Sequence, residues 1–126
     1  GYNYRMPNLN AALGLSQLKH LQKTIKNKRK LFSKLKISLK NLKDCFEIFE
    51  EPNKARSNYW MQLLIIKKNI NTNNLLNFLN RNKIECQKTW VINSNFKYLK
   101  KFPKMNSFYS RNFSNKIIVL PSNNFH

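Results

Sequence analysis

An amide and a guanidinium two residues apart, Asn3 and Arg5, are the side chains in this sequence best suited to hold an anion. They flank Tyr4 in the run Gly1-Tyr2-Asn3-Tyr4-Arg5, just ahead of a helical stretch. If that run is extended, Asn3 and Arg5 share one side and Tyr2 and Tyr4 the other. An amide donor beside a guanidinium fork suits a phosphate or a carboxylate. The same residues also suit a plainer arrangement, in which Arg5 pairs a neighbouring carboxylate and Asn3 makes a turn. Chemistry alone favours that one. Other reactive constellations are thin. The two glycines, Gly1 and Gly14, leave no phosphate-cradling loop. His20 and His126 lack metal-ligand spacing, and Cys45 and Cys86 stand far apart. Zinc needs about four ligands at tight spacing, so buried free thiols in a reducing compartment are expected. Of the five acids, four fall within 44–51 and form no convincing acid–base pair. Read this way, the chain supports chemistry and does not contain it.

The elements that must position these groups follow from apolar periodicity. Leu9, Ala12, Leu13, Leu18, Leu21, Ile25, Phe32, Leu35, Leu39 and Leu42 recur at helical spacing, with lysines between them. The pattern predicts one long amphipathic helix over 9–42, or two joined at a bend near 26–28. Pro7 suits its first turn. Ala11, Ala12 and Gly14 would let another element approach closely. The run 57–67, SNYWMQLLIIK, reads as a strand. Thr72 is expected to cap a helix over 73–82, and 84–90 to return as a second strand. Short helices are expected at 96–99 and 107–115, and a brief strand at 117–120, ended by Pro121. The fold class is mixed α/β (an α+β small domain): a long N-terminal helix, then a small, mostly antiparallel sheet with helices. No apolar run approaches the ~20 residues of a membrane span, so a cytoplasmic place is expected.

Charge is the most conspicuous bulk property: 24 Lys+Arg against 5 Asp+Glu, a formal net of +19. Phosphate neutralisation with counterion release would explain such a chain as a nucleic-acid binder. However, Lys, Asn and Ile are abundant together here, as they are whenever coding DNA is rich in A and T. Only five of the basic residues are arginine. Compositional drift therefore explains the charge better than nucleic-acid binding. The rival readings are a basic nucleic-acid-binding module and a catalytically decayed enzyme.

The stretch from Gly1 through Asn3, Arg5, Ala11-Ala12, Gly14 and Gln17-Leu18 closely resembles a hallmark of the DegT/StrS-type (DegT/DnrJ/EryC/StrS) aminotransferases. In that family a Gly-x-Asn-x-Arg run precedes a helix reading roughly Ala-Ala-x-Gly-x-x-Gln-Leu. Arg56-Ser57-Asn58-Tyr59-Trp60 and Trp90 resemble the subgroup that aminates UDP-linked 4-keto sugars for legionaminic-acid-type products. Ile118-Val119-Leu120-Pro121-Ser122 resembles the closing Leu-Pro-Ser segment. The resemblance implies the C-terminal part of a fold-type I transferase that uses pyridoxal 5'-phosphate, with glutamate as amino donor. It implies a homodimer with a shared active site, in which the cofactor-binding residues are Asn3, reaching the cofactor phosphate of the neighbouring subunit, and Arg5, lying beside the same site. Tyr4, Tyr59 and Trp90 are the implied substrate-contacting residues, although a half-buried core tryptophan at position 90 fits the sequence equally well. The family's Schiff-base lysine lies upstream of the motif, so no catalytic residue is expected within this chain, which reads as a fragment inactive by itself. Residues 1–44 would be the motif segment and a long helix leading to a large domain, and 45–126 the small C-terminal domain. Gln87, Ser94 and Lys97 depart from the family pattern around the tryptophan, which bears on sugar specificity and on activity.

Overall fold

The computed structural model describes residues 4–122. Helices α1 (Asn8–Leu18) and α2 (Leu21–Ser38) lead into a 3-10 turn, Lys40–Leu42, and strand β1 (Phe46–Ile48). Strand β2 (Gln62–Ile66), helix α3 (Thr72–Arg81) and strand β3 (Gln87–Lys88) follow. Two 3-10 turns, Asn93–Asn95 and Lys97–Leu99, precede helix α4 (Phe108–Ser114) and strand β4 (Ile117–Leu120). The strands form one antiparallel sheet in the order β1-β2-β4-β3.

Register explains the core. Leu64 lies opposite both Ile48 and Ile118, and Gln62 opposite Leu120. Because strand side chains alternate, these residues share one face with Ile66. That face buries Ile48, Leu64, Ile66, Ile118 and Leu120 against Phe32, with Leu35 of α2, Leu39 just after it, and Leu75 and Leu79 of α3 packed around it. Helices on one side of a small sheet give a mixed α/β layer, as the sequence predicts. An apolar groove of about 370 Å³ remains between α2 and α3, bordered by Leu39, Phe46 and Phe78.

Several boundaries differ from the sequence reading, each for a local reason. The long helix breaks at Lys19–His20, not near 26–28, and the carbonyl of His20 accepts the N–H of Thr24 to start α2. The polar stretch at 27–29 stays helical because its side chains find partners: Lys28 Nζ reaches Ser122 and Arg29 reaches Glu51. Asn71, not Thr72, caps α3, its Oδ1 accepting from the N–H groups of Asn73 and Asn74. Thr72 Oγ1 instead donates to the carbonyl of Asn115 at 2.6 Å. The expected strand over 84–90 shortens to two residues. Asn80 takes up the backbone of Cys86, accepting its N–H at 2.8 Å and donating to its carbonyl at 3.1 Å. Strand β1 is a further difference, since its three residues are too few to show a period in the sequence.

Helix α1 contributes no buried residue. Leu9 is 80% exposed, and no described atom lies within 4 Å of where a Cβ on Gly14 would sit. Helix α2, by contrast, belongs to the core through Phe32. Phe32→Ala should therefore lower the unfolding free energy by about 3–5 kcal/mol. Leu13→Ala should leave it within about 0.5 kcal/mol of the parent. Urea unfolding followed by far-UV circular dichroism measures both.

Candidate functional site

The loop between β1 and β2 builds the site. Glu51 enters it, and Arg29 on α2 grips the carboxylate with both ends of its guanidinium: Nη1 to Oε2 at 3.0 Å and Nη2 to Oε1 at 2.6 Å. Arg29 Nη1 also donates to the carbonyl of Ser57 at 2.7 Å, and the Ser57 N–H donates back to Glu51 Oε2. A two-pronged guanidinium–carboxylate pair is directional as well as attractive, so it orients the loop. The Arg29 side chain holds the Glu51 carboxyl well below its ordinary range, at about 2, with the Ser57 N–H adding to the effect and burial opposing it. The same pairing raises Arg29.

This grip sets the next three residues. Tyr59 adopts φ 47°, a left-handed conformation that is costly for a bulky side chain. Its N–H donates to Ser57 Oγ, and the N–H of Trp60 donates to Asn58 Oδ1, both at 3.0 Å. Such side-chain bonds compete with a sheet ladder, which is why β2 begins at Gln62 and not at Ser57. The Tyr59 ring turns inward and stacks on Phe32, with centroids 4.1 Å apart. Its hydroxyl accepts the N–H of Glu51 at 3.3 Å, and the Arg29 guanidinium lies 5.3 Å from its ring centre. Trp60 turns outward.

There Trp60 meets Trp90, with ring centroids 6.5 Å apart and planes inclined by 46°. The pair stands over a cleft of about 370 Å³ that is also lined by Glu85, Gln87, Cys86 and Ser122. Both tryptophans are largely exposed, at 61% and 72%. Ser122 is held from behind, its carbonyl and Oγ accepting from Lys28 Nζ at 3.1 and 3.0 Å. Cys86 is buried and its thiol pushed upward by that burial, while Cys45 is half-buried; both are free. Gln62 is fully buried, with Nε2 donating to the carbonyls of Lys28 and Tyr59 at 3.3 Å. A second hollow, of about 580 Å³, lies between 91–94 and 102–107.

Of the residues singled out in the sequence, Trp90 borders the cleft and Tyr59 belongs to the core beside it. Tyr4 and Arg5 are exposed on the segment before α1 and do not line the cleft. Asn3 lies outside the described residues. Trp60 and Glu85 were not picked out as site residues. The signal for Trp60 is its place in the Ser57-Asn58-Tyr59-Trp60 run, whereas nothing in the sequence marks Glu85. Among the described residues no group of three His, Cys, Asp or Glu side chains is placed to hold a metal. No helix there is long and apolar enough to cross a membrane. Exposed lysines occur on α2, in the turns around β1 and β2, on β3 and through 97–104, so the charge is spread over the elements.

Residues 1–124 match the model of the DegT/DnrJ/EryC1/StrS aminotransferase family. The chain is similar to the GDP-perosamine synthase of Vibrio cholerae, 34% identical over 88 residues, covering 68% of this chain and 23% of that protein. It is also similar to the GDP-perosamine synthase of Escherichia coli O157:H7, 32% identical over 87 residues, covering 69% and 23%. The putative pyridoxal phosphate-dependent aminotransferase EpsN of Bacillus subtilis is 28% identical over 90 residues, covering 71% and 23%. Among solved structures, the Helicobacter pylori aminotransferase PseC, involved in pseudoaminic acid biosynthesis, superposes with a TM-score of 0.82 at 20% identity. That likeness covers 96% of this chain and 33% of PseC, and at such identity it speaks for the fold. The matched part of the chain spans about a quarter of the length of these curated relatives.

The loop's grip has a pH signature. Glu51 is ionised well below the ordinary glutamate value of about 4.3. Its contribution is therefore fully present above that value and is lost as pH falls towards about 2. Glu51→Gln should lower stability at neutral pH and flatten the decline between those two values. Thermal unfolding of both proteins across the acid range checks this, and parallel curves would contradict it.

Proposed function

The chain belongs to the DegT/DnrJ/EryC1/StrS aminotransferase family, and on that premise we propose that it forms part of a pyridoxal-phosphate-dependent enzyme that moves an amino group from glutamate to a 4-keto nucleotide sugar. The observation that carries this reading is the family match across 1–124, which includes the Gly-x-Asn-x-Arg run joined to α1. The product would serve cell-surface polysaccharide synthesis in the cytoplasm. The Arg56–Trp60 segment favours a UDP-linked substrate. The similarity to two GDP-perosamine synthases favours a GDP-linked one.

The donor chemistry fits the cofactor in part. Arg5 offers a guanidinium at the entrance to α1, and with Asn3 it would hold the cofactor phosphate of a neighbouring protomer. Among the described residues Lys28 is the half-buried lysine, and it is committed to Ser122. On the family resemblance, the cofactor-bearing lysine belongs to the family's large domain, upstream of the Gly-x-Asn-x-Arg run. When bound, pyridoxal phosphate supplies an electron sink and carries the amino group. This chain's residues bind and orient. Trp90, with Trp60, offers stacking surface to the substrate; Tyr4 stands beside Arg5; and Tyr59 acts from the core by holding Trp60 outward. The division at 44/45 between a linking segment and a small domain belongs to the same reading, although Phe32 ties α2 to the sheet. The exposed leucines of α1 would be covered by the large domain or by the second subunit. Gln87, Ser94 and Lys97 support a rival reading, an aminotransferase-like protein without catalysis.

Mixed with pyridoxal phosphate and dialysed, the 126-residue chain should retain no cofactor absorbance and aminate no keto sugar. In the whole enzyme, Arg5→Ala should weaken cofactor retention roughly ten- to a hundredfold, the scale of one charged hydrogen bond. Retention by the isolated chain, or an indifferent Arg5→Ala enzyme, would count against these assignments.

A further inference from the structure

The cleft under Trp60 and Trp90 carries one group that nothing described so far accounts for. Glu85 lines it, and Glu85 makes no hydrogen bond or ion pair with any described residue. Three of the other four acids pair with a cation: Glu51 with Arg29, Glu50 with Lys36 and Glu47 with Lys67. Asp44 also has no partner among the described residues, but it sits in an exposed turn outside this cleft. In a chain of net charge +19, a carboxylate left without a cation beside two exposed indoles is an open acceptor at an aromatic platform.

Indole faces take flat rings of any kind, so the tryptophans do not choose among bases. A carboxylate does. Its two oxygens accept two parallel N–H donors, and it repels carbonyl oxygens. Guanine alone among the common bases presents adjacent ring N–H and amino donors on its pairing edge. Uracil presents one N–H between two carbonyls, and adenine one amino group beside a bare acceptor. The cleft wall also includes Ser122, whose Oγ lies 3.0 Å from Lys28 Nζ, so a cation stands one hydrogen bond behind the lining. That charge suits a diphosphate.

We propose that Trp60, Trp90 and Glu85 form the base subsite of the nucleotide sugar, and that Glu85 selects guanine over uracil. This rests on the nucleotide-sugar reading above and deepens it. Asn80 is the positioning residue, since its amide clamps both backbone groups of Cys86 next to Glu85.

Trp60 and Trp90 are the chain's two tryptophans, so intrinsic fluorescence reads the cleft directly. The chain is titrated with GDP, UDP and ADP, with correction for nucleotide absorbance. GDP should bind at least about tenfold more tightly than UDP or ADP. Glu85→Gln keeps the size of the side chain but replaces an acceptor oxygen with a donor. It should weaken GDP roughly ten- to a hundredfold and leave UDP little changed, the scale of lost charged hydrogen bonds. Because Glu85 is exposed, the variant keeps its fold, which circular dichroism verifies. UDP binding as tightly as GDP, quenching by neither nucleotide, or a GDP preference that survives Glu85→Gln each overturns the proposal. A separate transamination assay on the whole enzyme tells the two readings apart. Amination of a UDP-linked sugar with no role for Glu85 sinks the base assignment alone. Glu85-dependent GDP binding without any amination sinks the aminotransferase reading alone.

Discussion

The grip of Arg29 on Glu51 is the contact on which the rest of the molecule turns. The surrounding sheet is small, and its edge strand β1 is joined to the central strand β2 by a route that has no ladder of its own. Arg29 closes that route onto α2 through two bonds to the carboxylate and one to the carbonyl of Ser57. The result is a fixed loop end. Tyr59 then has to fold back in a left-handed conformation to reach Phe32, and the next residue has to face outward. A strained backbone persists only where its surroundings over-determine it, and here a stack, a cation over the ring and a hydroxyl bond act together. The exposure of Trp60 is thus a consequence of how Tyr59 is buried.

The core and the N-terminal helix follow opposite rules. Helix α2 and its C-cap place Phe32, Leu35 and Leu39 along one stripe against the sheet, and most of the helix's lysines stay exposed. Helix α1 is apolar without such a stripe being covered, and its leucines stay in solvent among the described residues. A helix of this kind gains little by itself, because most helical stability in proteins comes from packing an apolar face. The break at Lys19–His20 separates the part of the chain that the sheet supports from the part that it does not.

What the sequence disclosed depended on how local the cause was. Strand β4 falls at the expected residues because four apolar positions lie between a polar turn and Pro121, and α3 because its leucines recur over ten residues before Asn82. The late start of β2 was hidden, since it depends on an arginine 28 positions away from Ser57. The loss of most of the expected 84–90 strand was hidden too, because an asparagine amide copies the pairing of a neighbouring strand. The three residues of β1 are too few to show a period. The candidate site divides in the same way. Trp90 could be named from type and context, whereas Trp60 and Glu85 become neighbours of it only through the antiparallel register, which sets the start of β2 beside the end of β4, and the end of β4 beside β3. Asn3 and Arg5 drew their weight from resemblance and not from spacing.

The large positive charge and the small number of acids act at different ranges. A surplus of lysines spread over several elements raises the local concentration of any anion and is screened by salt beyond roughly 10 Å. It does not discriminate, since every nucleotide carries the same phosphates. Discrimination needs short-range groups whose geometry is fixed, and under the proposed base subsite Glu85 is that group. Glu51 orients a loop, Glu47 and Glu50 tie strand and loop residues to lysines, and Glu85 keeps both oxygens open beside two indoles. A sixth acid in that neighbourhood would blur the site by competing for the same donors. A lysine brought within reach of Glu85 would silence it. Under the proposed subsite, the scarcity of acids leaves Glu85 without a competing carboxylate among the described residues that line the cleft.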